Sequence, residues 1–355
     1  MRVGVNTLFL IPEEVGGSET YVRSLLRALD SLDDDLALVV FTNDENHASF
    51  SAFDRVHVSV QARSRLRRIW AEQTCLVKEA QKVGIDLLFS PGYTAPLRAP
   101  FPQVVTVHDV QYRAMPEAFP WWWRQANRFL VGRAAKNADI ILTGSEFSRR
   151  EIVKYYGVAS EKVVLTPYAP TRLGEPREPA LDKPFLLYVA NTYEHKNAVR
   201  LLSAYTSIAE RIPHDLVIVG QPRSGEPPPH PRLRRFHRVT DAELAGLYGS
   251  CALFVFPSRY EGFGLPVVEA MALGARVVAS RIGAVTEVAG DAATYFDPGN
   301  EADMAKAIEE ALAEPPEKRA QHIETGMRRA QRFTWEECAR RTLGAFEAVV
   351  TRRAS

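Results

Sequence analysis

Ser258-Arg-Tyr-Glu261-Gly-Phe-Gly-Leu-Pro-Val-Val-Glu269 is the stretch on which the fold turns. The apolar run Ala252-Leu-Phe-Val-Phe-Pro257 before it has the composition of a buried strand. The run from Val267 to Leu273 after it reads as a helix, with Pro266 as its expected first position. Proline is pre-set for a first helical turn and loses no needed hydrogen bond there. A strand, a glycine-containing loop and a helix start leave unpaired backbone N–H groups at the positive end of a helix dipole, which suits phosphate or diphosphate. Gly262 and Gly264 let a ligand approach the backbone closely. Glu261 and Glu269, with seven residues between them, flank this anion site. A carboxylate accepts hydrogen bonds from hydroxyls, so sugar and ribose are the expected partners and the stretch reads as a site for a nucleotide sugar. The plainer alternative is a glutamate that only complements a helix dipole beside a tight loop.

The whole string resembles the E-x7-E signature of retaining glycosyltransferases of family 4. Ala270-Met-Ala-Leu-Gly-Ala-Arg-Val-Val-Ala-Ser280 and Glu287-Val-Ala-Gly-Asp-Ala-Ala293 continue that family's pattern. The resemblance covers essentially the whole chain and implies the GT-B fold, two Rossmann-like α/β domains facing a central cleft. It implies that Glu261 holds donor sugar hydroxyls, that Glu269 holds the ribose, and that Gly262, Phe263, Gly264 and Leu265 line the donor.

Composition sets outer limits. The 355 residues are enough for two domains, each with its own core. With 44 basic and 43 acidic residues the net charge is +1, so nothing global points to nucleic acid. Cys75, Cys251 and Cys338 are odd in number and scattered, which fits a reducing compartment rather than a disulfide framework or a zinc site. No stretch approaches the roughly 20 apolar residues of a membrane span. Met1-Arg-Val-Gly-Val-Asn runs directly into a strand, so no signal peptide is expected. A cytoplasmic location is expected, with room for peripheral contact at the inner face of the membrane.

Strand-like and helix-like runs alternate along the chain. Strands are expected at 2–8, 36–42, 56–60, 85–89, 104–108, 140–143 and 163–167, with helical periodicity between them, as at 19–31, 66–82 and 146–156. Such alternation predicts a mostly parallel sheet covered on both faces. The pattern restarts with strands at 185–190, 216–220, 253–256 and 277–279. Between the two halves, Pro170-Thr-Arg-Leu-Gly-Glu-Pro-Arg-Glu-Pro-Ala-Leu-Asp-Lys-Pro184 has no periodicity and reads as a linker. The expected division is 1–170 as an acceptor-binding domain, 171–184 as linker and 185–334 as a nucleotide-sugar-binding domain. The amphipathic segment 335–352 is expected, from the resemblance, to pack back on the first domain.

Other positions carry weaker signals. Gly16-Gly17 precedes a helix and is a plain turn by default; the family's matching loop approaches the diphosphate and acceptor. His108 ends a strand, and Val-His-Asp-Val resembles a family variant in which this histidine lies at the donor sugar, whereas Asp109 can instead cap the following loop. Lys196, in Glu194-His-Lys-Asn197, sits near a helix start, a poor place for a cation unless an anion shares it. The family's Lys-Asn pair matches here, but His195 and Asn191 stand where it often has basic residues, which thins the cationic clamp. Arg238-Val239-Thr240 matches the family's base-contacting segment, and Thr240 is equally suited to be an N-cap. Arg63-Ser-Arg-Leu-Arg-Arg-Ile-Trp70 and Trp121-Trp-Trp-Arg124 suit either an anionic membrane surface or ordinary helix packing.

These readings converge on a retaining, metal-independent hexosyl transferase. It would use a nucleoside-diphosphate sugar, GDP-mannose or a UDP-sugar, and a glycan or lipid-linked acceptor, with no further cofactor. The catalytic candidates are His108, Lys196 and Glu261, and no Asp-x-Asp metal signature stands out. The His-Asp variant resembles mannosyltransferases of surface-polysaccharide assembly, which favours mannose. Transfer to a soluble acceptor, a sugar-nucleotide epimerase on the same fold and a non-catalytic sugar-nucleotide binder are the alternatives. A NAD enzyme is disfavoured because no strand is followed by G-x-G-x-x-G.

Overall fold

The computed structural model describes residues 1–14 and 16–354. The chain forms two compact units, Met1–Tyr168 joined by the segment from Thr334 onward, and Ala169–Phe333. Each is an α/β layer structure around one all-parallel sheet.

In the first unit seven strands form the sheet: β1 (Arg2–Asn6), β2 (Ala37–Thr42), β3 (Asp54–His57), β4 (Leu87–Ser90), β5 (Gln103–Thr106), β6 (Ile140–Thr143) and β7 (Val163–Leu165). Their spatial order is β3-β2-β1-β4-β5-β6-β7. β4 and β6 are buried along their whole length, which requires helices on both faces and explains their unbroken apolar runs. Those helices are α1 (Gly17–Asp30), α2 (Arg65–Gln73), α3 (Cys75–Val83), the short α4 (Gln111–Ala114), α5 (Trp121–Asn137) and α6 (Glu146–Tyr156). The expected single helix over 66–82 is broken at Thr74, whose backbone leaves the helical region at φ −126°. The strand expected at 56–60 lies earlier, at Asp54–His57, paired in register with Val39–Thr42.

The second unit holds β8 (Phe185–Val189), β9 (Asp215–Val219), β10 (Leu233–Phe236), β11 (Leu253–Phe256), β12 (Val277–Ser280) and β13 (Ala293–Phe296). Their order is β10-β9-β8-β11-β12-β13, with helices α7 (Ala198–Ile208), α8 (Asp241–Ser250), α9 (Leu265–Ala272), α10 (Gly283–Ala289), α11 (Glu301–Leu312) and α12 (Pro316–Ala330) around it. The two strands without an apolar run in the sequence, β10 and β13, are the edge strands. An edge strand has a strand neighbour on one side only, and every residue of β10 is partly or fully exposed, so Arg234 and Arg235 are tolerated there. The last helix, α13 (Trp335–Ala354), belongs to the first unit. It packs there through Phe346 against Phe89 (ring centroids 5.2 Å) and Trp335 against Tyr21 of α1 (6.2 Å).

The segment 171–184, expected as a linker, is instead laid onto the second unit without regular secondary structure. Arg177 N donates to Ala242 O at 2.9 Å. The approach is possible because α8 carries glycine at 246: a Cβ there would lie 1.7 Å from Arg177 O. Gly246→Ala therefore destabilises the protein by about 1–3 kcal/mol, the cost of overpacking against backbone that cannot yield. Gly249→Ala, three residues along the same helix with its nearest neighbour 3.9 Å away, is neutral or stabilising. Thermal unfolding of the two variants reads the difference; equal melting temperatures contradict it.

Candidate functional site

In an open parallel sheet, ligands bind at the carboxyl ends of strands where the strand order reverses. The second sheet reverses between β8 and β11, because β8, β9 and β10 run outward one way and β11, β12 and β13 the other. Lys196 follows β8 and Glu261 follows β11, so both stand at the reversal. After β8 the chain makes a single 3-10 turn, Glu194–Lys196, and Asn197 adopts a left-handed φ of +64° before α7 begins. Asn197 Nδ2 donates to Pro257 O (3.0 Å) and Pro298 O (2.9 Å), and Arg259 N donates to His195 O (2.8 Å). These bonds fasten the two loops together. Across them Lys196 Nζ donates to Glu261 Oε1 at 2.6 Å, with side chains only 20% and 12% exposed. An ammonium has three protons; one goes to Glu261.

His195, beside this pair, is held in its neutral form. Burial and then the Lys196 charge push its pKa down to about 4. It stacks on Tyr193 at 5.8 Å rather than adding a second charge. The Arg259 charge also acts on His195. Nothing in the sequence reading singled out Arg259; its adjacency to the lysine loop exists only because β8 and β11 are neighbours.

The loop after β11 ends at Gly264, whose φ of +100° only glycine adopts without strain, and which stands at the N-cap of α9. The helix starts at Leu265, so Pro266 is its second residue rather than its first. No side chain caps this end. Val267 N and Val268 N donate to Gly264 O (2.9 and 3.4 Å) and Pro266 has no N–H, so Leu265 N is the helix amide left to a ligand. Gly262 is buried. Phe263 is also buried, edge-on to Phe333 at 5.5 Å. Phe263 and Gly262 can therefore face a ligand only with backbone. Glu269 lies on α9, nearly buried. Its Oε1 accepts from Thr171 Oγ1 (2.5 Å) and Thr171 N (3.4 Å), and Oε2 accepts from Tyr248 OH (3.3 Å). Burial raises its pKa, and these bonds oppose the rise. Thr171 comes from the segment expected to be a linker, and Tyr248 from α8; neither could be connected to Glu269 in sequence.

Arg238 and Val239 lie after β10 and before α8, with Arg238 exposed. Thr240 is the N-cap of α8 in a capping box: its hydroxyl accepts from Glu243 N (3.3 Å), and Glu243 Oε2 accepts from Thr240 N (2.9 Å). The N–H and hydroxyl of Thr240 are thus committed to the helix start.

In the first unit the sheet reverses between β1 and β4. Gly16 is the N-cap of α1 and Gly17 its first residue, both exposed, with open space where a Cβ would stand. His108 follows β5 and is buried. Its ring lies edge-on to Tyr21 (4.9 Å), Tyr93 (5.2 Å) and Tyr168 (5.6 Å). Nε2 is 3.1 Å from Pro91 O, which can only accept, so the proton is on Nε2 and Nδ1 accepts from Tyr168 OH at 2.7 Å. Burial pushes the His108 pKa down to about 4. Both ring nitrogens are engaged within the protein, so contact with a sugar hydroxyl requires release of the Pro91 bond. Asp109 forms the loop cap: Oδ1 accepts from Gln111 N (2.9 Å), and Oδ2 from Tyr93 OH (3.0 Å). The sequence reading passed over Glu72, a buried carboxylate that accepts from Thr94 Oγ1 (2.9 Å) and Asn6 Nδ2 (3.2 Å) at the same reversal; burial raises its pKa.

Residues 15–169 match the model of glycosyltransferase family 4, and residues 175–329 match that of glycosyl transferases group 1. O-antigen chain mannosyltransferase B of Escherichia coli is 31% identical over 270 residues, 69% of this chain and 70% of that protein. The MMP alpha-(1->4)-mannosyltransferase of Mycolicibacterium hassiacum is 29% identical over 277 residues, 72% of this chain and 67% of that protein. Among solved structures, sucrose-phosphate synthase from Thermosynechococcus elongatus superposes with a TM-score of 0.80 at 21% identity, covering 100% of both chains. Anabaena HepE in complex with UDP-glucose gives 0.78 at 18% identity, over 98% of this chain and 100% of that one. The structural likenesses speak for the fold.

The depressed pKa of His108 sets a pH dependence. A native pKa of about 4 against 6.5 unfolded means that the unfolded chain binds the extra proton first. The stability is full above pH 6.5 and is lost as pH falls toward 4, by up to ~3 kcal/mol. In His108→Gln, which keeps an amide donor, the melting temperature falls less between pH 7 and 4.5 than in the wild type. Parallel curves for the two proteins contradict a neutral buried His108.

Proposed function

This chain belongs to glycosyltransferase family 4 and has the GT-B fold, and we propose that it transfers a hexose, with mannose favoured, from a nucleoside-diphosphate sugar to a glycan or lipid-linked acceptor in polysaccharide assembly. The observation that carries this reading is the Lys196–Glu261 pair at the strand reversal beside the uncapped start of α9. The preference for mannose rests on the mannosyltransferase relatives. HepE, a structural neighbour, is described with UDP-glucose, so GDP-mannose and a UDP-sugar are both assigned as donors to be tested.

In this reading the diphosphate lies against Lys196 and the Leu265 amide opening α9. Their positive charge is fixed before reaction and opposes the charge that grows on the departing diphosphate. Glu261 orients Lys196 from one side and accepts from donor sugar hydroxyls, while Glu269, steadied by Thr171 and Tyr248, accepts from the ribose. Arg238 and Val239 are assigned to the base, and Gly16 and Gly17 to the diphosphate and acceptor. His108, neutral and donating through Nε2, is assigned to the donor sugar, for which it exchanges Pro91 O for a hydroxyl. Transfer is retaining: the acceptor oxygen bonds to the anomeric carbon on the face from which the diphosphate leaves. Metal independence is part of the proposal, with Lys196 and the helix start supplying the positive charge; activity that persists in a chelator tests it. Activity requiring both donor and acceptor separates transfer from epimerisation or simple binding.

Lys196→Ala is expected to lower activity by roughly 100-fold or more, the scale of one preorganised charge, and to weaken nucleoside diphosphate more than monophosphate. Calorimetry with both ligands measures this, and an unchanged preference overturns the assignment. Glu269→Ala is expected to weaken diphosphate and monophosphate alike, because the ribose is common to both. Glu261→Ala instead frees the Lys196 charge, so nucleoside diphosphate binds at least as tightly while turnover falls. Equal loss of nucleotide affinity in the two glutamate variants contradicts these roles.

A further inference from the structure

α5 has 17 residues and no Asp or Glu. Positions three and four apart lie on one helix face. On that face Trp121 (69% exposed), Trp122 and Phe129 point outward, interleaved with Arg128, Arg133 and Lys136. This is the reverse of an ordinary packed helix, whose aromatics turn inward. Below the aromatics a surface pocket of about 400 Å³ is lined by Arg113, Arg128, Arg133 and Lys136 with Tyr155 and Tyr156. None of these four cations forms an ion pair among the described residues. On the neighbouring α6, by contrast, Arg149 and Lys154 each pair with a glutamate. The second element of the face is α2. Arg65 on α2 lies over the ring of Trp123 on α5, 5.7 Å from its centroid, which joins the two helices at that point. α2 exposes Leu66 (82%) and Trp70 (64%) beside the exposed Arg67, and its one acid, Glu72, is buried.

We propose that this α2–α5 face of the first unit docks on an anionic lipid surface, with the tryptophans among the headgroups and the four-cation pocket on a lipid phosphate. Three features together select a lipid surface. Arg113 and Arg133 rest over the rings of Tyr155 and Phe129 (5.2 and 6.0 Å) and no carboxylate lines the pocket, so the pocket favours an anion. Tryptophan and leucine exposed beside them gain only from a partner that also offers apolar depth. The chain as a whole is nearly neutral at +1, whereas α5 carries four cations and no acid. The inference deepens the lipid-linked branch of the proposed acceptor: a chain held at the surface meets an acceptor carried there.

Co-sedimentation with vesicles tests it, using phosphatidylglycerol and phosphatidylcholine in equal parts against phosphatidylcholine alone. Binding is expected only to the anionic vesicles and fades as added salt shortens the Debye length below about 10 Å. Arg128→Gln/Arg133→Gln is expected to lower partitioning roughly 25-fold, about fivefold per cation. Trp121→Ser/Trp122→Ser is expected to lower it at every salt concentration. All four positions are exposed, so both variants fold; circular dichroism checks this. No binding to anionic vesicles, equal binding to neutral ones, or wild-type binding by both variants overturns the proposal. So does a dimer in sedimentation velocity that the tryptophan variant abolishes, since that would make a second copy the occupant. Nucleoside diphosphate binding is measured by calorimetry on the same preparations. Its persistence when vesicle binding fails leaves the transferase reading intact, and its failure alone leaves the docking face intact.

Discussion

A 2.6 Å ion pair joins Lys196 and Glu261, two residues 65 positions apart in the chain. Parallel strands buried on both faces have little place for charged groups along their length, so charge collects at their ends. At the reversal of strand order no crossover helix covers the end of the sheet, and the loops after β8 and β11 face one another. Asn197 ties the loops at their base by donating to Pro257 O and Pro298 O, and the ion pair ties them near the top. The pair is also a store of orientation: Glu261 holds the ammonium in place and leaves part of its donor capacity for an anion. His195 keeps the arrangement simple by staying neutral, since a second cation directly beside Lys196 would compete for the same carboxylate.

The first unit uses burial rather than charge pairing. His108 is walled by Tyr21, Tyr93 and Tyr168, and its tautomer is dictated by a carbonyl that can only accept. Tyr21 belongs to the helix that Gly16 and Gly17 open, so the glycine loop and the histidine are positioned by the same element. Trp335 of the last helix packs on Tyr21 in turn, which makes α13 part of the support for this cage. Glu72, buried with Asn6 and Thr94, adds a carboxylate at the same end of the sheet.

Some side chains beside the site are committed to the structure. Thr240 spends its polar groups on a capping box and Asp109 closes its own loop, the alternatives the sequence allowed for both, and Phe263 fills the core against Phe333. In each case the side chain steadies a backbone segment next to the site. Thr171 shows the converse, because a stretch without periodicity or apolar content supplies the hydroxyl that holds Glu269.

What the sequence by itself determined is what short-range physics writes into it. The alternation of apolar strands with amphipathic helices declared two parallel α/β units. The glycines and proline between Glu261 and Glu269 declared a loop and a helix start, which fall at Gly264 and Leu265. Edge strands β10 and β13 escaped notice because incompletely buried strands carry no apolar run, and Thr74 broke an expected helix through backbone angles that composition does not reveal. Only the tertiary structure decided which ends of strands meet. Strand order put Lys196 against Glu261, brought Thr171 and Tyr248 to Glu269, enclosed His108 in tyrosines and brought Trp123 of α5 under Arg65 of α2. Partners this distant in the chain are chosen by sheet topology and by the burial it imposes, and no local pattern of residues encodes either.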